Sequence, residues 1–342
     1  PPSFDDGGWG GELAAMIFLR RTGRGQADCY HDGQGNCSLG ASQPPAPDSG
    51  PMPELPEVEV TRRVLSPLLV GRVIRDVAVS KPSYFFLSPP ALLRRALPGK
   101  SVGELNRIGK YLLADLSDGS RLLLHLGMTG QLFSSEAVSP RLLSSTARSS
   151  LSPEAQPGFR ADLHTHMHFR FEDGGPDIFF RDVRKFGKVR LLGPGKSDKR
   201  LDLLGPDALE VVASELEAAG KKRKTPVKTL LLDQSVLAGV GNIYADEALF
   251  LAGVRPLRPA QRVKRAEWER IAAAVKQVLL RSIETGGSSI SDYLRPDGKD
   301  GGYQDERKVY GREDEACHTC AQPIRRVVIA TRSSSYCPSC QS

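Results

Sequence analysis

The residues of this chain whose types and spacing could do chemistry fall in a few short clusters. Cys317-His-Thr-Cys320 and Cys337-Pro-Ser-Cys340 lie within the last 26 residues, with 16 residues between the pairs. Each CxxC knuckle turns two thiolates toward one point, and this paired spacing suits one tetrahedral zinc better than disulfides or free thiols. Four cysteine ligands leave no open coordination position, so such a metal would hold the fold and do no chemistry. Cys29 and Cys37 have no comparable partners and read as incidental. His164, His166 and His168 alternate, which on a strand puts all three on one face and raises a second, weaker suggestion of metal. Gln234–Glu247 reads as helix, Gly-rich turn, helix. Gly239 and Gly241 let the backbone turn tightly, and Asn242 falls where exposed amides at a helix start suit a phosphate. Lys221-Lys-Arg-Lys224, just before it, would ordinarily be a solvated basic run.

The remaining cluster, Pro53-Glu-Leu-Pro-Glu-Val-Glu59, follows Met52. It resembles the amino terminus of the formamidopyrimidine-DNA glycosylase family, in which the initiator Met is removed and Pro becomes the first residue. A free α-amine has a pKa near 7.7–8.0, so much of it is neutral where a lysine stays charged. Such a secondary amine attacks the anomeric carbon of a damaged nucleotide, expels the base and leaves an iminium. The resemblance implies a catalytic set of Pro53, Glu54, Glu57, Lys110 and Arg332. In it Glu54 transfers protons, Glu57 positions water, Lys110 donates a proton during strand cleavage, and Arg332 grips phosphate for the second elimination.

The same resemblance implies DNA-contacting residues. Met128, Arg184 and Phe186, in His125–Gly130 and Arg181–Gly187, match the residues that fill the gap left by an extruded nucleotide. This chain has Val183 and Lys185 where the family often has Pro and Arg, which puts the stiffness of that loop in question. His164 and Asn242 match phosphate contacts, Arg223 a DNA-contacting lysine, and Lys228 a lysine close to the lesion. Cys317, Cys320, Cys337 and Cys340 take the family's structural zinc, Zn2+. The implied activity is removal of oxidised purines (8-oxoguanine and formamidopyrimidines) with β,δ-elimination in base excision repair. The implied partner is double-stranded DNA with oxidised bases or abasic sites, bound by a monomer, in the nucleoid-containing cytoplasm if the source is bacterial. An oxidised-pyrimidine glycosylase of the endonuclease VIII type, or a zinc-containing damaged-DNA-binding protein without catalysis, are the alternatives.

The elements that must position these residues follow from periodicity. The 342 residues carry a net charge of +7, unevenly spread. Arg20, Arg21 and Arg24 against Asp5, Asp6, Glu12, Asp28, Asp32 and Asp48 give −3 to residues 1–52, leaving +10 for the rest. A basic body favours an acidic partner. No apolar run is long enough to span a bilayer. Residues 1–52, rich in Gly, Pro and Ser, read as a disordered or non-native extension. A helix should start near Pro56 and bury Val58, Leu65, Leu68 and Leu69 on one face. Strands are expected over 105–116, 120–126, 167–171, 177–180 and 188–192, and a Ser/Pro-rich exposed loop over 134–160. Helical spacing then appears over 208–219, 227–234, 243–252 and 266–283. The expected fold class is α+β. Residues 53–198 read as an antiparallel sandwich or barrel with flanking helices, and the resemblance makes them an N-terminal antiparallel β-sandwich and 201–294 a helix–two-turns–helix domain. Residues 295–311 form a loop that the resemblance makes lesion-capping, and 312–342 a four-cysteine zinc-finger β-hairpin.

Overall fold

The computed structural model describes residues 30–31, 37–38, 52–139, 141, 158–289 and 293–342. Residues 1–47 form one unit, of which only the short antiparallel pair β1 (Tyr30–His31) and β2 (Cys37–Ser38) is described. The reading of residues 1–52 as an extension, and of Cys29 and Cys37 as incidental, otherwise lies outside the described residues. Everything from residue 48 onward forms the second unit.

That unit opens with α1 (Leu55–Leu69), which starts with Pro56 in its first turn, where a missing N–H costs nothing. Gly71, at φ 82°, turns the chain out of it. Leu55 and Val60 enter the core of the helical half, while Val58, Leu65 and Leu69 enter the core of the β half. This one helix therefore belongs to both lobes.

Two four-stranded antiparallel sheets enclose the β core. One, in the order β10-β6-β5-β4, is built from β4 (Val102–Ile108), β5 (Tyr111–Leu116), β6 (Arg121–His125) and β10 (Lys188–Leu192). The other, β3-β8-β9-β7, is built from β3 (Ile74–Val79), β7 (Gly130–Ser134), β8 (Thr165–Phe171) and β9 (Ile178–Asp182). Leu105, Leu112 and Leu124 on the first face Leu132, Phe169 and Phe180 on the second in one buried cluster. Leu93 and Leu97, at the short helix α2 (Pro90–Ala96), close it. The continuous strand expected over 105–116 is in fact a hairpin: Gly109, at φ 56°, breaks it and puts Lys110 on the turn. Strands β3 and β7 and helix α2 were not anticipated, because none carries a sustained apolar period, and β7 takes buried Ser134 out of the exposed loop expected over 134–160.

The helical half comprises α3 (Lys199–Asp202), α4 (Ala213–Gly220), α5 (Val227–Leu232), α6 (Asn242–Ala252) and α7 (Arg265–Glu284). The helix expected over 208–219 begins only at Ala213, since Asp207 first turns the chain by accepting the Leu209 amide. Trp268 seals α7 against Gly220, where a Cβ would come within 2.5 Å of the indole. The hairpin of β11 (Arg325–Ile329) and β12 (Arg332–Tyr336) completes the fold. It is fastened to the end of α6 by Gln341 on the Val254 carbonyl and Arg255 on the carbonyls of Gln341 and Pro338. Among the described residues, no helix is long and apolar enough to cross a membrane.

Candidate active site and nucleic-acid interface

Buried carboxylates gather where α1 meets α6. Glu54 is 2% exposed, and its two oxygens accept the amides of Gly241 (2.6 Å) and Ile243 (2.9 Å) at the start of α6. Two of the amides at this helix start are thus already taken by Glu54, and Asn242 is the first residue inside the helix, after Gly241 as cap. One of the two glycines has a different reason from the one expected. Gly239, at φ 109°, needs its freedom, whereas Gly241 has ordinary dihedrals and must be small because a Cβ would sit 2.4 Å from the Glu54 carboxyl carbon. Burial pushes the Glu54 carboxyl up to about 7, with Lys110 opposing and Glu57 reinforcing the shift.

Glu57 is equally buried and its partners come from three elements. It accepts the Glu54 amide (2.8 Å), the Tyr244 hydroxyl (2.5 Å) and the Ser288 amide (2.9 Å). Desolvation still raises its pKa, and Tyr244 is the leading opposing influence. Tyr244 also meets the Ser282 hydroxyl, which ties α6 to α7 behind the carboxylate.

Lys110 reaches this region from the hairpin turn and is 6% exposed. Burial lowers its pKa, partly countered by Glu54, with Arg332 lowering it further. Arg107 holds the turn: its guanidinium donates to the Gly109 carbonyl, Glu59 and Asp207. Met52, Lys110, His125, Gly241 and Arg332 all line one open pocket of about 370 Å³, a size that suits a nucleotide-scale ligand. His125, quoted above only as part of a motif, thus belongs to the site. Burial depresses it to about 4, so it is neutral at physiological pH, and its Nδ1 accepts the Gly127 amide.

The loop that carries Met128 and the loop that carries Arg184 and Phe186 are joined to each other. Fully buried Asp182 accepts the Thr129 hydroxyl and the amides of Arg184 and Gly187, joining both loops to one carboxylate. A Cβ on Gly127 would lie 2.5 Å from the Phe186 carbonyl carbon, so the loops touch through backbone. Phe186 is 40% exposed with the Arg184 guanidinium 4.8 Å from its ring centre, a wedge presented to solvent. The stiffness put in doubt by Val183 and Lys185 comes from Asp182, and Lys185 itself sits at φ 60°.

Two readings need correction. Lys228 is fully buried: its amine pairs with Asp246 (2.8 Å) and donates to the Ser333 carbonyl (2.9 Å), so it presents nothing to DNA in this structure. It anchors the hairpin that carries Arg332, as Asp246 also accepts the Ser334 hydroxyl and the Ser335 amide. The histidine trio does not share a face. His164 lies in the turn before β8, and a register shift between Thr165 and Met167 falls at His166 and breaks the alternation. His166 bonds the Asp182 carbonyl, and His168 bonds Asp177 and stacks on Phe179. Arg223, by contrast, stays partly exposed and pairs with Asp233, which lines the pocket.

The four cysteines place one sulfur each within 4.8 Å of one another, with Cys317–Cys340 at 3.9 Å and Cys320–Cys337 at 3.4 Å. Tetrahedral zinc with Zn–S bonds of about 2.3 Å needs sulfurs about 3.8 Å apart, so the donor set fits. Among the described residues this is the only such cluster. Arg332 follows the Ala330-Thr331 turn, whose φ values of 46° and 68° suit a two-residue hairpin but normally demand Asn-Gly. Metal and ladder must hold that turn. Cys337→Ser is expected to lose zinc and weaken binding to a lesion duplex by roughly tenfold or more, about 1.4 kcal/mol. Zinc analysis with titration of a labelled duplex checks this, and unchanged affinity without zinc would contradict it.

A β-sandwich and a helix–turn–helix lobe sharing one helix, with buried acids at its start and a zinc hairpin alongside, define a DNA glycosylase of the helix–two-turns–helix class. The chain matches the formamidopyrimidine-DNA glycosylase N-terminal domain over residues 52–189 and the H2TH domain of the same enzymes over 204–293. Residues 314–342 match the zinc finger found in FPG and IleRS. It is 44% identical over 292 residues to a formamidopyrimidine-DNA glycosylase of Thiobacillus denitrificans, covering 85% of this chain and 100% of that one. A relative from Ruegeria pomeroyi is 42% identical with the same coverage of both. Among solved structures, MutM (Fpg) of Thermus thermophilus superposes with a TM-score of 0.71 at 36% identity, covering 84% and 98% of the two chains. Lactococcus lactis Fpg bound to abasic-site DNA gives 0.72 at 30% identity, covering 84% and 99%.

The chain belongs to the formamidopyrimidine-DNA glycosylase family. It is a zinc-containing glycosylase and abasic-site lyase of base excision repair.

Proposed function

We propose that the chain excises oxidised purines from double-stranded DNA through the amine of Pro53, once the residues before it are removed. The observation that carries this reading is the convergence of Glu54, Glu57 and Lys110 on the start of α1, immediately after Pro53. Met52 lines the same pocket as Lys110 and Arg332. Its removal would therefore release the nitrogen from its amide and also clear the space beside it for deoxyribose.

In this mechanism the Pro53 lone pair attacks C1′, and the glycosidic electrons leave with the base. Glu54, protonated up to about pH 7, delivers a proton during sugar opening or base departure. Loss of a C2′ proton then expels the 3′ phosphate, and a second elimination expels the 5′ phosphate. Lys110, its charged form disfavoured by burial, is suited to exchange protons at these steps. Arg332, exposed on the hairpin, would hold the phosphate. Glu57, fixed by three donors, would orient water. Met128, Arg184 and Phe186 would enter the duplex, with His164, Arg223 and Asn242 on the backbone. The protein would act as a monomer in a bacterial cytoplasm.

Relatives bearing lesion DNA support the substrate class, one L. lactis Fpg variant being complexed with DNA containing Fapy-dG. Single-turnover excision on 8-oxoguanine and thymine-glycol duplexes tests it. Faster release of 8-oxoguanine is expected. A clear preference for thymine glycol would assign the chain to the oxidised-pyrimidine branch.

A further inference from the structure

Residues 293–302 run from the catalytic carboxylates to the outer edge of the sandwich. At one end Tyr293, 4% exposed, donates its hydroxyl to the Glu57 carbonyl (3.2 Å). Its neighbour Leu294 leaves the helical core and packs, 3% exposed, in a separate small cluster with Phe133, Ala137 and Phe159. Phe159 is itself seated, its ring centre 4.9 Å from that of Phe133 and 5.1 Å from that of Phe179.

Three further contacts join the same segments. The Ser134 amide donates to the Pro296 carbonyl (3.1 Å). Gly298, at φ 84°, lies so close that a Cβ would be 2.4 Å from the Val138 oxygen, so only glycine allows the approach. Arg141 donates to Asp300 (2.5 Å) and to the Tyr293 carbonyl (3.4 Å). The ion pair is exposed and contributes little by itself, so the buried Leu294 cluster carries the attachment.

We propose that Ala137, Val138, Arg141 and Phe159, at the two ends of the Ser/Pro-rich excursion after β7, brace residues 293–302 beside the active site, with Leu294 as the anchor. The inference rests on the reading of this loop as the segment that closes over an extruded base. A loop held in place reduces the ordering that base capture requires. An abasic sugar presents no base to capture. The brace therefore acts on base excision and leaves strand cleavage at abasic sites nearly untouched, which makes Leu294 a positioning residue.

The test uses the unit that starts at Pro53, with Met52 removed, since the relatives are matched along their whole length without the residues ahead of it. Single-turnover rates are measured on an 8-oxoguanine duplex and on the same duplex with a preformed abasic site. Leu294→Ala should slow excision about tenfold or more while changing abasic cleavage by less than about twofold. Leu294→Met should restore most of the loss, and Gly298→Ala, which leaves the cluster intact but clashes with Val138, should reproduce it. Amide hydrogen exchange at Lys299, Gly301 and Gly302 should accelerate in Leu294→Ala and Gly298→Ala without DNA present. Equal losses on both duplexes, no loss on either, or unchanged exchange would overturn the brace. Unsubstituted protein inactive on both duplexes would refute the function proposed above, and the exchange measurement would still decide the brace.

Discussion

A form of the protein that keeps Met52 in front of Pro53 is expected to give no borohydride-trapped adduct with lesion DNA, and to release base at least about a thousandfold more slowly than the processed form. The nitrogen of an internal proline is a tertiary amide whose lone pair is delocalised into the carbonyl, so it cannot attack C1′. Processing changes that nitrogen into a free secondary α-amine, a class of group far less basic than a lysine side chain. Met52 also stands in the pocket beside Lys110 and Arg332, so its retention blocks access as well as reactivity. Pro53→Gly in the processed form retains a primary amine and should keep some trapping at reduced rate. Gel analysis of trapped complexes from the three forms checks the series, and undiminished trapping by the Met52-bearing form would refute it.

Glu54→Gln in the processed form is expected to bind lesion duplex with little change while turnover falls by about 10²–10⁴-fold, the range for a lost general acid–base group. Burial pushes the carboxyl up to about 7, outweighing Lys110 and the two backbone amides it accepts. A step that needs the acid form therefore slows as pH rises through that value. The substitution should remove this limb from the pH–rate profile and leave the limb set by the amine. It also turns one oxygen into a donor facing an amide, at a cost to stability of about 1–3 kcal/mol, which thermal unfolding records separately. Normal turnover in Glu54→Gln would take Glu54 out of the mechanism.

Much of this arrangement was legible in the residues. The CxxC pairs, the start of α1 at Pro56 and the Gly-rich turn before α6 depend on local spacing, and local spacing is what a sequence displays. What escaped was the tertiary use of polar groups. Lys228 looks like an exposed basic residue because the partner that buries it, Asp246, sits on another helix. Asp246 and Glu247 interrupt an otherwise apolar helix, and that was the available signal. Each is buried and reaches a different segment, Asp246 the zinc hairpin and Glu247 the amides of Lys308, Val309 and Tyr310. Two adjacent acids among Ile243, Tyr244 and Leu249 cannot be solvated and must be paired. Similarly, Gly241 reads as a turn glycine, but its size matters because Glu54 arrives from a distant part of the chain. The histidine alternation failed because a bulge, which pattern alone does not reveal, resets the face.

The most direct test is peptide mapping, by mass spectrometry, of the adduct trapped with borohydride from the protein made in its own cell. The sugar remnant should sit on Pro53 as the first residue of the chain. Finding it on a lysine, in a polypeptide that still carries residues ahead of Pro53, would contradict the account.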